Sequence, residues 1–86
     1  MPTMPTGPDR DILGKLAGHV RRTVSDPEDG WVTAEALNYT LLVPIIGLRA
    51  RLHDLTVRGL VESRVGGPEV AYRPQHRLTL AGGRVL

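Results

Sequence analysis

An α+β domain, mainly α, with three helices followed by a C-terminal β-hairpin is the fold the sequence predicts, and three observations lead to it. Aliphatic residues recur at helical spacing in two stretches, Ile12 to Val24 and Ile45 to Leu55. Beyond Gly59 the apolar pattern changes from a period near that of a helix to alternation, which suits strands. Gly66-Gly67-Pro68 then divides the alternating stretch in two, as a hairpin turn would.

The 86 residues suffice for one domain with one modest core, which excludes a catalytic cleft between domains. With 41% apolar and 23% charged residues the composition is that of an ordinary globular protein. There is no Phe, one Trp and two Tyr, so the core must be built from Leu, Val, Ile and Ala. No cysteine is present, so neither a disulfide nor a thiolate metal site can staple the fold, and a reducing compartment is compatible with it. The longest apolar run, Leu41 to Ile46, is too short to span a bilayer, and the N-terminus lacks the basic segment and apolar stretch of a signal peptide. A cytoplasmic, nucleoid-associated protein is the resulting expectation, with no membrane partner.

Residues 1–8 read Met-Pro-Thr twice and then Gly-Pro, and are expected to form a flexible tail ahead of a domain over 9–86. From Asp9 onward, Ile12, Leu16, Val20 and Val24 repeat every four residues with Leu13 and Ala17 beside them, which predicts an amphipathic helix capped by Asp9 or Asp11 and ended by Asp26-Pro27. Asp29-Gly30 is a turn, and Trp31-Val32 suffices for a minimal strand. Thr33 reads as the N-cap of a second helix running through Glu35, Leu37 and Tyr39 toward Leu42, where Pro44 breaks it. A third helix carries Ile45, Leu48, Leu52 and Leu55, and Gly59 ends it. Strands are predicted over Leu60–Val65 and Val70–Leu78, with Pro74 marking an edge or bulge. Thr79 can cap a last short segment, which Gly82 and Gly83 make a poor helix.

Charge is distributed unevenly along this frame. Residues 1–43 carry four basic against six acidic side chains, net −2, whereas residues 44–86 carry seven arginines against three acidic side chains, net +4. An all-arginine basic half suits nucleic acid, because the planar guanidinium fork matches both phosphate and the guanine edge. A solvated surface in a chain that prefers Arg to Lys is the plainer reading of the same residues.

The order of elements, together with three segments, resembles the winged helix-turn-helix superfamily of transcription regulators, particularly PadR-like and MarR-like proteins and small phage regulators. Val32-Thr33-Ala34-Glu35-Ala36-Leu37 is similar to the opening of that motif's first helix. The stretch from Leu48 through Leu52, Leu55 and Gly59-Leu60-Val61-Glu62 resembles a recognition helix running into a wing. Tyr72 through Arg77-Leu78-Thr79 and Gly82 is similar to the way such wings close. The likeness covers about residues 10–86. Two features depart from it: Leu41 to Ile46 replaces the usual turn glycine and opening Ser or Thr, and no long C-terminal dimerisation helix follows before Leu86, so a homodimer would use another surface.

The resemblance implies a sequence-specific regulator that places the third helix in the major groove of double-stranded DNA and its wing on the backbone. With Leu48, Leu52 and Leu55 turned inward, Ile46, Gly47, Arg49, Ala50, His53, Asp54 and Val57 fall on or near the outward face. Gly47 and Ala50 let the helix approach closely, Arg49 and His53 reach base edges or phosphates, and Arg51 reaches a flanking phosphate. Arg64 and Arg73, on opposite strands at similar distances from the glycine turn, would make the wing contact, unless Glu62 or Glu69 pairs with them across the hairpin. Trp31 is expected to anchor the hairpin against the helices.

An enzyme is not expected. His19, His53 and His76 show no metal-ligand spacing and read as surface histidines, and no glycine loop is followed by the helix and lysine that a phosphate cradle needs. No catalytic, metal or cofactor site can be assembled. Two other readings compete with a regulator: a winged-helix module that binds protein through the apolar Leu41 to Ile46 region, and an accessory or architectural DNA-binding protein of a phage or mobile element.

Overall fold

The computed structural model describes residues 7–41 and 44–86. Helix α1 spans Gly7–Gly18 and buries Ile12, Leu13 and Leu16. It starts two residues ahead of the expected Asp9, because Pro8 in a first turn lacks only an N–H that would have no intrahelical partner. The rest of the expected tail, residues 1–6, lies outside the described residues.

α1 also ends sooner than its spacing predicts. Val20 and Val24 continue the four-residue repeat but sit in an irregular loop over residues 19–31. The carboxylate of Asp29 accepts the backbone N–H of Arg21 at 3.0 Å, of Arg22 at 2.5 Å and of Thr23 at 3.1 Å. These donors would otherwise serve a continuing helix. Gly18 and the β-branched Val20, Thr23 and Val24 weaken the helical alternative, so the charge-assisted bonds prevail.

Strand β1, Val32–Thr33, leads directly into helix α2, Ala34–Asn38. Thr33 caps α2 as expected, its hydroxyl accepting the Ala36 N–H at 3.2 Å. The helix is shorter than the sequence suggests: Thr40 and Leu41 both turn back to the Leu37 carbonyl. Leu42, the expected end, lies outside the described residues together with Val43. Helix α3, Ile45–Val57, follows Pro44 and buries Leu48, Leu52 and Leu55 completely. It closes where predicted, with Gly59 left-handed at φ 79° and the Leu60 N–H reaching back to the Leu55 carbonyl at 3.0 Å.

Strands β2, Val61–Val65, and β3, Pro74–Leu78, form the hairpin, with Val61 opposite Leu78 and Val65 opposite Pro74. β3 begins four residues later than expected. Pro68–Val70 forms a 3-10 turn, and Ala71 and Tyr72 are left-handed at φ 54° and 59°, so the chain reverses before pairing starts. Pro74 fits the first position of a strand, where no ladder donor is required. β1 adds antiparallel to β3, giving a three-stranded sheet in the order β1-β3-β2.

The last segment is a short helix α4, Leu80–Arg84, despite its two glycines. Thr79 accepts the Gly82 N–H at 2.9 Å and donates to the Gly59 carbonyl at 2.7 Å. A Cβ at Gly82 would overlap the Leu60 carbonyl oxygen, so tertiary contact, and not helix propensity, selects glycine there.

The sheet has two distinct faces. Val32, Val61 and Leu78 point to the helices and share one core with Ile12, Leu13, Leu16, Leu37, Leu48, Leu52 and Leu55. Alternation along the strands turns Gln75 and Arg77, with Arg64 and Glu62 opposite them, to the other face, which the 19–31 loop covers.

Candidate nucleic-acid interface

Burying the leucine ladder of α3 turns Gly47, Arg49, Ala50, Arg51 and His53 into solvent, and all five are exposed. Among the described residues, no atom outside the helix's own backbone and Gly47's chain neighbours lies within 4 Å of where a Cβ would sit on Gly47. Ile46 and Val57 extend the same surface at either end, 79% and 73% exposed.

The arginines of this surface are not bare. The Arg49 guanidinium bonds to the Glu35 carboxylate at the start of α2, with the two side chains 60% and 28% exposed. Arg51 lies 3.3 Å from Asp9, and Arg58 lies 3.6 Å from the second oxygen of the same carboxylate. Asp9 is therefore not a solvent-facing cap. It is buried in the first turn of α1 and ties that turn to α3.

Glu35 is the centre of charge here. Its own backbone N–H, then Arg49, and at longer range Arg73 hold its carboxyl below the ordinary value of 4.5, against the opposing effect of desolvation. Arg73 is exposed at the end of the hairpin, and no side-chain partner for it lies within bonding distance among the described residues. One carboxylate thus lies within the electrostatic reach of the α3 arginine and the hairpin arginine.

Arg64 is placed elsewhere. The register sets it opposite Gln75 and not opposite Arg73, whose carbonyl instead accepts the Gly66 N–H. Its guanidinium lies 4.2 Å over the Trp31 ring, bonds to Gln75 at 3.0 Å and meets Glu28 at 3.4 Å. The hairpin therefore does not set Arg64 and Arg73 opposite each other. Glu62, weighed with Glu69 as a cross-hairpin partner for Arg64 and Arg73, pairs with Arg77 at 3.0 Å. Trp31 does not anchor the hairpin against the helices. Its indole N–H donates to the Pro27 carbonyl at 2.8 Å, and its ring holds the loop to Arg64 and Arg77 on the opposite face of the sheet.

Two further residues escape a reading by pattern. Arg77, with a side chain only 6% exposed, donates to the carbonyls of Val24, Asp26 and Asp29. His76 is half-buried and not a surface residue; burial lowers its pKa below 6.5, and Glu35 pulls the other way. The His76 Nδ1 lies 2.8 Å from the Ser63 hydroxyl, which lies 3.2 Å from the Thr56 hydroxyl on α3. The register Ser63 opposite His76 is the signal for that pair, legible only once the hairpin's alignment is known.

Among the described residues no group of three or more His, Asp or Glu side chains is arranged to hold a metal ion, and no helix is long and apolar enough to cross a membrane. No protein-family model and no curated protein matches the chain.

Proposed function

We propose that the chain is a winged helix-turn-helix protein that binds double-stranded DNA as a transcriptional regulator, with α3 as the recognition helix and the hairpin as the wing. The observation that carries this reading is the outer face of α3. A helix held by three buried leucines presents two small residues, Gly47 and Ala50, beside the exposed Arg49 and His53, and Arg73 is exposed on the hairpin. The element order and the sheet order β1-β3-β2 are compatible with such a fold.

In this arrangement Arg49 is the base-reading candidate, because a bidentate guanidinium contact to a guanine edge discriminates by about 1–3 kcal/mol. Arg73 and Arg51 would hold phosphates, which position the protein without carrying sequence information. Arg64 is left out of the contact, since the loop-covered face of the sheet occupies it. A homodimer on a two-fold site follows from the resemblance and belongs to the same proposal.

The test is fluorescence anisotropy on duplex DNA over a range of salt concentrations. Arg73→Ala should weaken binding to all sequences and reduce the salt slope by about one. Arg49→Ala should weaken binding most on the preferred sequence, and Arg64→Ala should change little. Unchanged binding in both Arg49→Ala and Arg73→Ala rejects the surface.

A second reading is favoured by one specific observation: Tyr39 is 92% and Ile46 79% exposed on either side of the α2–α3 turn, while Arg49 and Arg51 are already paired with carboxylates. Apolar groups beside neutralised charges suit a protein partner. That reading predicts no salt-sensitive retention on DNA.

A further inference from the structure

We infer that Glu35 is a specificity-determining residue of this interface, holding the Arg49 guanidinium so that only a duplex offering Arg49 a second hydrogen-bonded edge releases it. The inference rests on the DNA-binding reading above.

An unpaired arginine on the outer face of a recognition helix binds any phosphate, so by itself it adds affinity for all DNA alike. Arg49 is not in that condition, because its guanidinium is engaged by a carboxylate fourteen positions earlier in the chain. A phosphate offers Arg49 one anionic partner in exchange for another, and brings its own charge toward the Glu35 carboxylate, well inside the screening distance of about 10 Å at moderate salt. A guanine edge offers two neutral acceptors matched to the guanidinium fork and carries no charge to be repelled.

The position of Glu35 fits this role. It stands on α2 and not on α3, so the carboxylate competes for Arg49 without occupying the recognition face itself. Its side chain is partly exposed, so the pair lies at a surface where exchange is cheap, and a surface ion pair of this kind changes an equilibrium by about two- to five-fold.

The experiment compares wild type, Glu35→Gln and Glu35→Asp on two duplexes of equal length, one enriched from a random pool by the wild-type protein and one unrelated. Circular dichroism verifies folding of each variant. Glu35→Gln should bind the unrelated duplex about two- to five-fold more tightly and the enriched one by less, so the ratio between them falls. Glu35→Asp, which keeps the charge but withdraws it by one methylene, should move the ratio the same way by less, and preserves the test should the glutamine variant not fold. In an Arg49→Ala background the change on adding Glu35→Gln should shrink by at least half. Wild-type binding with an unchanged ratio in the variants, or equal tightening on both duplexes, overturns the role of Glu35 and leaves DNA binding standing. Failure of the wild-type protein to bind any duplex overturns both.

Discussion

The two faces of the sheet are fastened by opposite means. On the helix face, Val32, Val61 and Leu78 meet the leucines of α1 and α3 through apolar contact, which is non-directional and scales with the area removed from water. On the loop face, Arg77 reaches three backbone carbonyls and Asp29 gathers three backbone N–H groups, with Trp31 laid over Arg64. Each of those bonds depends on a particular distance and direction. The first face should therefore tolerate changes of shape that conserve volume, and the second should not tolerate even a change between two cations.

Arg77 gives the sharpest way to break the comparison. Arg77→Ala leaves the carbonyls of Val24, Asp26 and Asp29 without their donor, at about 1–3 kcal/mol for each that stays buried, a summed loss to be read in urea denaturation. Arg77→Lys should rescue little of this, because an ammonium lacks the planar fork. Proteolysis is expected to open the 19–31 loop first in either variant. On the helix face Leu52→Ala should cost about 2–5 kcal/mol, whereas Leu52→Met should cost less than about 1.5 kcal/mol. Equal losses for Leu52→Met and Arg77→Lys would erase the distinction.

The two faces should also respond to acid in separate pH windows. The folded chain holds His76 below its ordinary 6.5, chiefly through burial, so on acidification the unfolded chain takes up the proton first. Stability is then complete above about pH 6.5 and declines below it, and His76→Gln should flatten that decline. The backbone N–H groups of Arg21 and Arg22, followed by that of Thr23, hold Asp29 below its ordinary 3.8. Its contribution is present above pH 3.8 and disappears as pH falls through the lower folded value, a loss that Asp29→Asn should remove from the acid limb. Thermal melts between pH 2 and 8 distinguish the two.

The smallest effect belongs to neither face. Gly47→Ala adds a methyl group that meets no other side chain among the described residues and should stabilise the helix by up to about 1 kcal/mol. On the DNA-binding reading the same methyl group weakens the complex, so stability and affinity should move in opposite directions.

The candidate interface was legible in part. The leucine spacing located the outer face of α3, and with it the exposure of Arg49 and His53, but set Arg51 nearer the core side, where the structure leaves it exposed beside Asp9. What that spacing did not reveal is that Arg49 and Arg51 are engaged, because their partners, Glu35 and Asp9, lie on other helices. Arg64 and Arg73 looked equivalent by their distance from the glycine turn. The 3-10 turn at Pro68–Val70 and the left-handed Ala71 and Tyr72 delay the start of β3, so that Arg64 stands opposite Gln75 and not opposite Arg73.

Sequence by itself determined the features that depend on neighbours along the chain: the buried side of α3, its glycine stop, the threonine caps of α2 and α4, and the presence of a hairpin. Periodicity and capping act over a few residues, so a local pattern carries them in full. Only the tertiary structure decided where α1 ends, which arginine meets which carboxylate, and that Arg77 and His76 leave the surface. These depend on the distance between segments as far apart as Asp9 and Arg51, and a charge or a carbonyl has no partner until the fold brings one within a few ångströms.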